Sequence, residues 1–192
     1  HRVDRRQRQM CIRDRYVVAN AAGLIPVPES LSDESAAQLV SMPFSTISLL
    51  EFLGAEKGDW IVQNAANGAV GRMLAQLGAA RGVNVIGLVR RSAGVDELRE
   101  QDIENVVSTD DDGWREQVAE ITGGAHIAFG IDSVGGSSAG DVLSLLGEGG
   151  TLVAFGAMNS PTMEIASGDV IFKQATVCLL YTSDAADDLL CV

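Results

Sequence analysis

The sequence contains few cysteines, and all three lie near a chain end, at Cys11, Cys178 and Cys191. The stretch 16–177 therefore offers neither a disulfide nor a thiolate ligand for zinc. Basic residues are also scarce, since 14 Lys and Arg stand against 26 Asp and Glu, for a formal net charge of −12. This balance disfavours nucleic-acid and anionic-membrane partners, which require clustered cations.

Long hydrophobic runs are missing as well. No apolar segment approaches the roughly 18 residues of a membrane-spanning helix, and no signal peptide opens the chain. We therefore expect a cytoplasmic protein whose partner is a small molecule. The 192 residues are enough for one domain with its own hydrophobic core.

The two ends differ in character from the rest of the chain. Residues 5–14 and 178–187 can be written as sense and antisense translations of one DNA segment, which resembles a transposon-end adapter. This complementarity predicts that 1–15 and 178–192 are adapter-derived. The same interpretation makes 16–177 a piece of a longer natural protein.

Downstream of residue 58, short apolar runs alternate with amphipathic segments. The apolar runs predict five strands, at 60–65, 83–89, 105–108, 126–131 and 151–155. Apolar residues at helical spacing predict a helix in three of the four connections between consecutive strands, and a polar helix is expected around 96–101 between the second and third strands. Upstream, Ser32 is expected to cap a short helix, and Pro43 to open a second one that ends near Phe52. The alternation predicts an α/β fold, a Rossmann-type doubly wound parallel sheet.

The loop between the first strand and the first long helix is rich in small residues. It is a variant of the dinucleotide fingerprint, with Ala66 at the first glycine position. Gly68 would let the backbone approach a pyrophosphate, and Gly71 would let the helix pack closely on the strand. The helix N-terminus would then face the phosphates. The loop therefore predicts nucleotide binding, the alternative being a purely structural turn.

The end of the second strand indicates which dinucleotide is bound. Proteins that use NAD place an Asp or Glu there to bind the ribose 2′-hydroxyl. This chain has Arg90 and Arg91, followed by Ser92. Two guanidinium groups suit a 2′-phosphate, so the cofactor is expected to be NADPH. The alternative is a pair of solvated surface arginines.

With these features placed, the chain resembles the cofactor domain of a medium-chain dehydrogenase/reductase. It is most similar to the zinc-independent quinone oxidoreductase and 2-enoyl thioester reductase branch. The resemblance covers nearly all of 16–177 and rests on the strings at 35–37, 42–46, 58–65, 67–71 and 155–158. The most branch-specific string is 63–67.

The resemblance implies a domain division and a set of cofactor-binding residues. Residues 16–55 would be the linker and helices left from the junction with a preceding barrel domain, and 56–177 a truncated NADP-binding domain. The implied pyrophosphate contacts are Asn67, Gly68, Ala69 and Val70. The implied adenosine-phosphate contacts are Arg90, Arg91 and Ser92. The implied contacts on the nicotinamide side are Phe155, Gly156, Ala157 and Met158, with Ser45 near the ring.

The resemblance also implies an activity for the parent protein. It would be a homodimeric, NADPH-dependent oxidoreductase that transfers hydride to a conjugated carbonyl, an enoyl thioester or a quinone. Met42 stands where zinc alcohol dehydrogenases carry a ligand cysteine, so no metal is expected. Enoyl reductases carry an asparagine at this position, so Met42 also weakens the assignment as an enoyl reductase. The family's proton-donating tyrosine belongs to the barrel domain, so no catalytic residue can be named and this piece alone is expected to be inactive. Two alternatives remain: a zinc-type alcohol dehydrogenase relative, or an NADPH-binding or sensing protein without turnover.

Overall fold

The computed structural model describes residues 20, 22, 26–39 and 41–180. The segments predicted to be adapter-derived lie outside these residues, except for 178–180. The chain divides into two compact units, His1–Ala37 and Gln38–Val192.

In the first unit, helix α1 (Asp33–Ala36) begins after Ser32, as predicted. The Ser32 hydroxyl accepts a hydrogen bond from the Ser35 amide at 3.3 Å. A backbone hydrogen bond and the Ser32 hydroxyl lower the pKa of Glu34 in the first turn. This is the arrangement expected of an N-cap followed by an acidic residue.

The second unit is built on a sheet of six parallel strands in the order β3-β2-β1-β4-β5-β6. The strands are β1 (Trp60–Gln63), β2 (Asn84–Val89), β3 (Val106–Ser108), β4 (Ile127–Asp132), β5 (Thr151–Ala154) and β6 (Thr176–Leu179). The order reverses between β1 and β4, which defines the topological switch point of a doubly wound sheet. The predicted fold class is confirmed.

Six helices belong to this unit within the described residues. They are α2 (Met42–Leu53), α3 (Ala69–Arg81), α4 (Ser92–Arg99), α5 (Trp114–Thr122), α6 (Ser137–Leu145) and α7 (Ser167–Phe172). Pro43 lies in the first turn of α2, as predicted, and Gly54 ends that helix with a left-handed φ of 61°. None of the described helices is long and apolar enough to cross a bilayer.

Both faces of the sheet are covered. On one face, Ile61 and Val153 pack against Leu49 of α2 and Leu74 of α3, within one apolar cluster. On the other face, a second cluster surrounds Val62 and includes residues of α5 and α6. Strands that are buried on both sides read as continuous apolar runs, which is why their positions could be predicted.

The sequence prediction missed the last part of this sheet. It expected five strands, but a sixth, β6, pairs with β5 over four residues. Helix α7, of six residues, was also not predicted. Strand β6 crosses the predicted adapter boundary, so its pattern was divided between two segments. Cys178 lies in β6, and its partial burial raises the pKa of the thiol.

Candidate cofactor-binding site

A cleft of about 510 Å³ opens where the strands at the centre of the sheet end. Its walls come from the loops after β1, β2 and β4, from Thr109 after β3 and from Asn159 after β5. This edge is the switch point, the place where open α/β sheets bind their ligands.

The loop after β1 holds helix α3 very close to the strand. A Cβ added at Gly71 would lie 2.6 Å from the carbonyl oxygen of Ala66. Gln63 reinforces the approach, since its buried Nε2 donates a hydrogen bond to the Gly71 carbonyl at 2.8 Å. Ala65 supplies the turn with a left-handed φ of 49°. The close packing predicted for Gly71 is confirmed.

The same loop presents backbone amides at the positive end of α3. Within the described part of the chain, the amides of Asn67, Ala69 and Val70 have no hydrogen-bond acceptor. Gly68 precedes the helix in an extended conformation, with φ −74° and ψ 167°. Free amides and the helix dipole together favour an anionic group at this point.

Asp132, at the end of β4, fixes the opposite wall of the cleft. Its fully buried carboxylate accepts hydrogen bonds from Asn64 Nδ2 at 2.5 Å and from the Val134 amide at 3.0 Å. In return, Asn64 Oδ1 accepts a hydrogen bond from the Ser133 amide at 2.8 Å. These contacts join the loops on both sides of the switch point. The Asp132 carboxylate is therefore a structural group that is satisfied by its neighbours.

The loop after β5 is fastened to the same edge. The Phe155 amide donates to the Asp132 carbonyl at 2.8 Å, and the Met158 amide to the Ser133 carbonyl at 3.1 Å. Gly156 favours this approach, because a Cβ there would lie in tight contact with the Ser133 oxygen, at 3.0 Å. The Met158 side chain is 80% exposed. Residues 155–158 thus border the cleft, although they do not line its walls.

Arg90 and Arg91 follow β2, and both are exposed and line the cleft. Neither forms an ion pair within the described residues. The lack of a partner is notable because an acidic run, 110–112, follows the neighbouring strand β3, and the Asp110 amide donates to the Arg90 carbonyl at 3.2 Å. Two uncompensated guanidinium groups at the mouth of a cleft are suited to an external anion.

Arg72, on α3, joins the loop after β1 to helix α4. Its Nε donates to the Asn67 carbonyl at 2.9 Å, and one terminal nitrogen donates to Gln101 Oε1 at 2.9 Å. The other terminal nitrogen forms an ion pair with Glu97. Since Glu97 also lines the cleft, Arg72 compensates a negative charge in its wall.

Of the predicted site residues, the structure brings Asn67, Arg90 and Arg91 together in the walls of one cleft. Gly68, Ala69 and Val70 adjoin it at the start of α3, and Ser92 adjoins it at the start of α4. Ser45 lies in α2, is only 6% exposed and does not contribute to the cleft wall.

Sequence reasoning did not assign several residues that line the cleft. They are Asn64, Ala65, Leu88, Val89, Ala93, Gly94, Glu97, Thr109, Ser138, Asp141 and Asn159. Position at a strand end could have indicated Asn64 and Thr109. Whether residues of α4 and α6 line the cleft depends on how these helices pack, and no local sequence pattern predicts that packing.

The described residues contain no group of three or more His, Cys, Asp or Glu that could hold a metal ion.

The sheet order and the cleft at its switch point define a Rossmann-type α/β domain. The zinc-binding dehydrogenase family matches residues 69–189. The chain belongs to this family, within the medium-chain dehydrogenase/reductase superfamily that the sequence resembled.

Among curated relatives, a mitochondrial enoyl-[acyl-carrier-protein] reductase from Arabidopsis thaliana is 32% identical over 163 residues, which are 82% of this chain and 44% of that protein. The chain therefore spans less than half the length of this relative.

Two solved structures share the fold. The complex of Etr1p with NADP and crotonyl-CoA has a TM-score of 0.73 at 21% identity, with 82% of this chain and 46% of that chain covered. The quinone oxidoreductase of Pseudomonas syringae pv. Tomato DC3000 has a TM-score of 0.72 at 23% identity, with 88% and 56% covered.

Proposed function

We propose that the chain is the NADPH-binding part of a medium-chain reductase. The observation that carries the proposal is the pair Arg90 and Arg91, which lie unpaired at the mouth of the cleft, at the end of β2. The position is the one at which dinucleotide folds distinguish a ribose 2′-hydroxyl from a 2′-phosphate. An acidic residue would serve NADH there, and two arginines serve NADPH.

The residues present fit such a cofactor. The free amides of Asn67, Ala69 and Val70, together with the positive end of α3, would hold the pyrophosphate. Arg90, Arg91 and Ser92 would hold the 2′-phosphate. The loop 155–158, fastened beside the switch point, would border the nicotinamide side, with Ser45 nearby as the resemblance implies. When bound, NADPH supplies the hydride, and the protein orients it.

The acceptor that we propose is a conjugated carbonyl, either an enoyl thioester or a quinone. The proposal is supported by the similarity of the chain to an enoyl-[acyl-carrier-protein] reductase and to a quinone oxidoreductase. We further propose that catalysis is zinc-independent and that the parent is a cytoplasmic homodimer, although the curated relative is named as mitochondrial. Assays of the full-length protein with a crotonyl thioester and with a quinone distinguish the two acceptor classes.

The cofactor assignment is tested with charge-neutralising variants of the arginine pair. We expect Arg90→Gln and Arg91→Gln each to weaken NADPH binding about tenfold, or about 1.4 kcal/mol, because each removes a charge-assisted contact to the 2′-phosphate. NADH binding should change little. A fluorescence titration of the reduced nicotinamide gives both dissociation constants.

Arg99→Gln is the matched control, since Arg99 is exposed in the last turn of α4 and does not line the cleft. It should leave both affinities unchanged. If Arg90→Gln and Arg91→Gln also bind NADPH like the unmodified chain, the assignment is wrong.

A further inference from the structure

The Ser92 side chain forms a hydrogen bond within the protein. Its hydroxyl donates to Asp111 Oδ1 at 2.9 Å, across the gap between the ends of β2 and β3. A serine hydroxyl has one proton to donate. A 2′-phosphate that accepts a hydrogen bond from the Ser92 hydroxyl must therefore displace the Asp111 carboxylate as its acceptor.

The acidic run 110–112 is held in place next to the arginine pair. The Thr109 amide donates to the Val89 carbonyl at 2.8 Å, and the Asp110 amide donates to the Arg90 carbonyl at 3.2 Å. Asp111 is half-buried, whereas Asp112 is exposed and makes no hydrogen bond to any described residue. Among the described residues, Asp111 is the one of the three whose carboxylate forms a hydrogen bond with the proposed phosphate-binding set.

We propose that Asp111 is a specificity-determining residue that weakens the preference of this site for NADPH. This inference rests on the proposed function, because it concerns the same 2′-phosphate. Asp111 opposes the phosphate in two ways: it occupies the Ser92 hydroxyl, and it adds a negative charge that the arginines must overcome. The site thereby discriminates less between NADPH and NADH than the arginine pair alone would.

The size of the effect follows from the geometry of the shared hydroxyl. Two acceptors around one hydroxyl lie within about 5 Å of each other. At this separation, in water with about 0.1 M salt, repulsion between a carboxylate and a phosphate dianion weakens binding roughly threefold to tenfold.

The test uses two nucleotides that differ only in the 2′-phosphate, adenosine 2′,5′-bisphosphate and 5′-AMP, titrated calorimetrically against the whole chain. Asp111→Asn removes the charge and keeps an acceptor for Ser92, so the loop should stay in place. We expect this variant to bind the bisphosphate roughly threefold to tenfold more tightly, with the 5′-AMP affinity unchanged. A gain of affinity cannot arise from misfolding.

Asp112→Asn is the matched control, because it makes the same change in net charge one residue away. It should raise the affinity for the bisphosphate by a clearly smaller factor than Asp111→Asn does. The inference is overturned if Asp111→Asn binds the bisphosphate no more tightly than the unmodified chain, or if both variants gain equally. If the unmodified chain shows no preference for the bisphosphate and Arg90→Gln does not weaken its binding, the proposed function fails, and the inference fails with it.

Discussion

One missing methyl group determines how closely α3 approaches the loop that precedes it. At Gly71, a Cβ would lie 2.6 Å from the Ala66 oxygen, 2.8 Å from the Ala66 Cα and 2.9 Å from the Ala65 oxygen. All three atoms belong to the backbone, so no side-chain rotation can relieve the clash. A side chain at this position would therefore force the backbone of the loop to shift.

We therefore expect Gly71→Ala to lower the free energy of unfolding by about 1–3 kcal/mol, the usual cost of overpacking. Denaturant unfolding followed by circular dichroism measures it. Gly168→Ala in α7 is the control, because its added Cβ would meet nothing closer than 3.6 Å. Equal stabilities of the two variants would contradict the account of the loop.

At the residue scale, the sequence predicts features that depend on a single strand and on the residues directly after it. Arg90 and Arg91 were assigned because they follow an apolar strand directly. The Ser92–Asp111 contact joins residues 19 positions apart, at the ends of two neighbouring strands. Its existence depends on strand order and on the turn after β3, which a single sequence does not reveal.

At the scale of elements, α3, α4 and the loop between β1 and α3 are held together by Arg72. This side chain reaches the Asn67 carbonyl, Gln101 and Glu97. The loop that would hold the pyrophosphate and the helix that starts beside the 2′-phosphate are thus held in one arrangement.

Removal of this link should affect every dinucleotide alike. We expect Arg72→Met to weaken NADPH and NADH binding by a similar factor, roughly threefold to tenfold, because a misplaced loop and an uncompensated Glu97 oppose both pyrophosphates. Fluorescence titration measures both affinities. Arg81→Met is the control, since Arg81 pairs with Glu51 at 2.7 Å and does not line the cleft. A loss restricted to NADPH would argue against a positioning role.

Prediction of the elements worked where an apolar run is bounded by turn residues. Strands β1 to β5 lie within about two residues of their expected bounds, since buried strands require uninterrupted apolar residues. It failed for α7 and β6. Strand β6 lies across the predicted adapter boundary, and α7 has no buried residue that would mark an apolar face.

At the scale of the whole molecule, an acidic chain would bind an anionic ligand. The formal charge of −12 repels a dinucleotide, and dissolved salt screens this repulsion beyond about 8–10 Å. Binding therefore depends on local features that the net charge conceals, namely the amide-lined end of α3 and the unpaired arginines. Composition predicts which partners are disfavoured, whereas the position of the cleft and the residues that line it become visible only in the folded sheet.

The most direct test of the account compares NADPH and NADH on the unmodified chain, by fluorescence titration at low and at high salt. We expect NADPH to bind several-fold more tightly than NADH at low salt. Added salt should reduce this difference in affinity, because exposed arginines supply the preference. Equal affinities, or tighter binding of NADH, would contradict it.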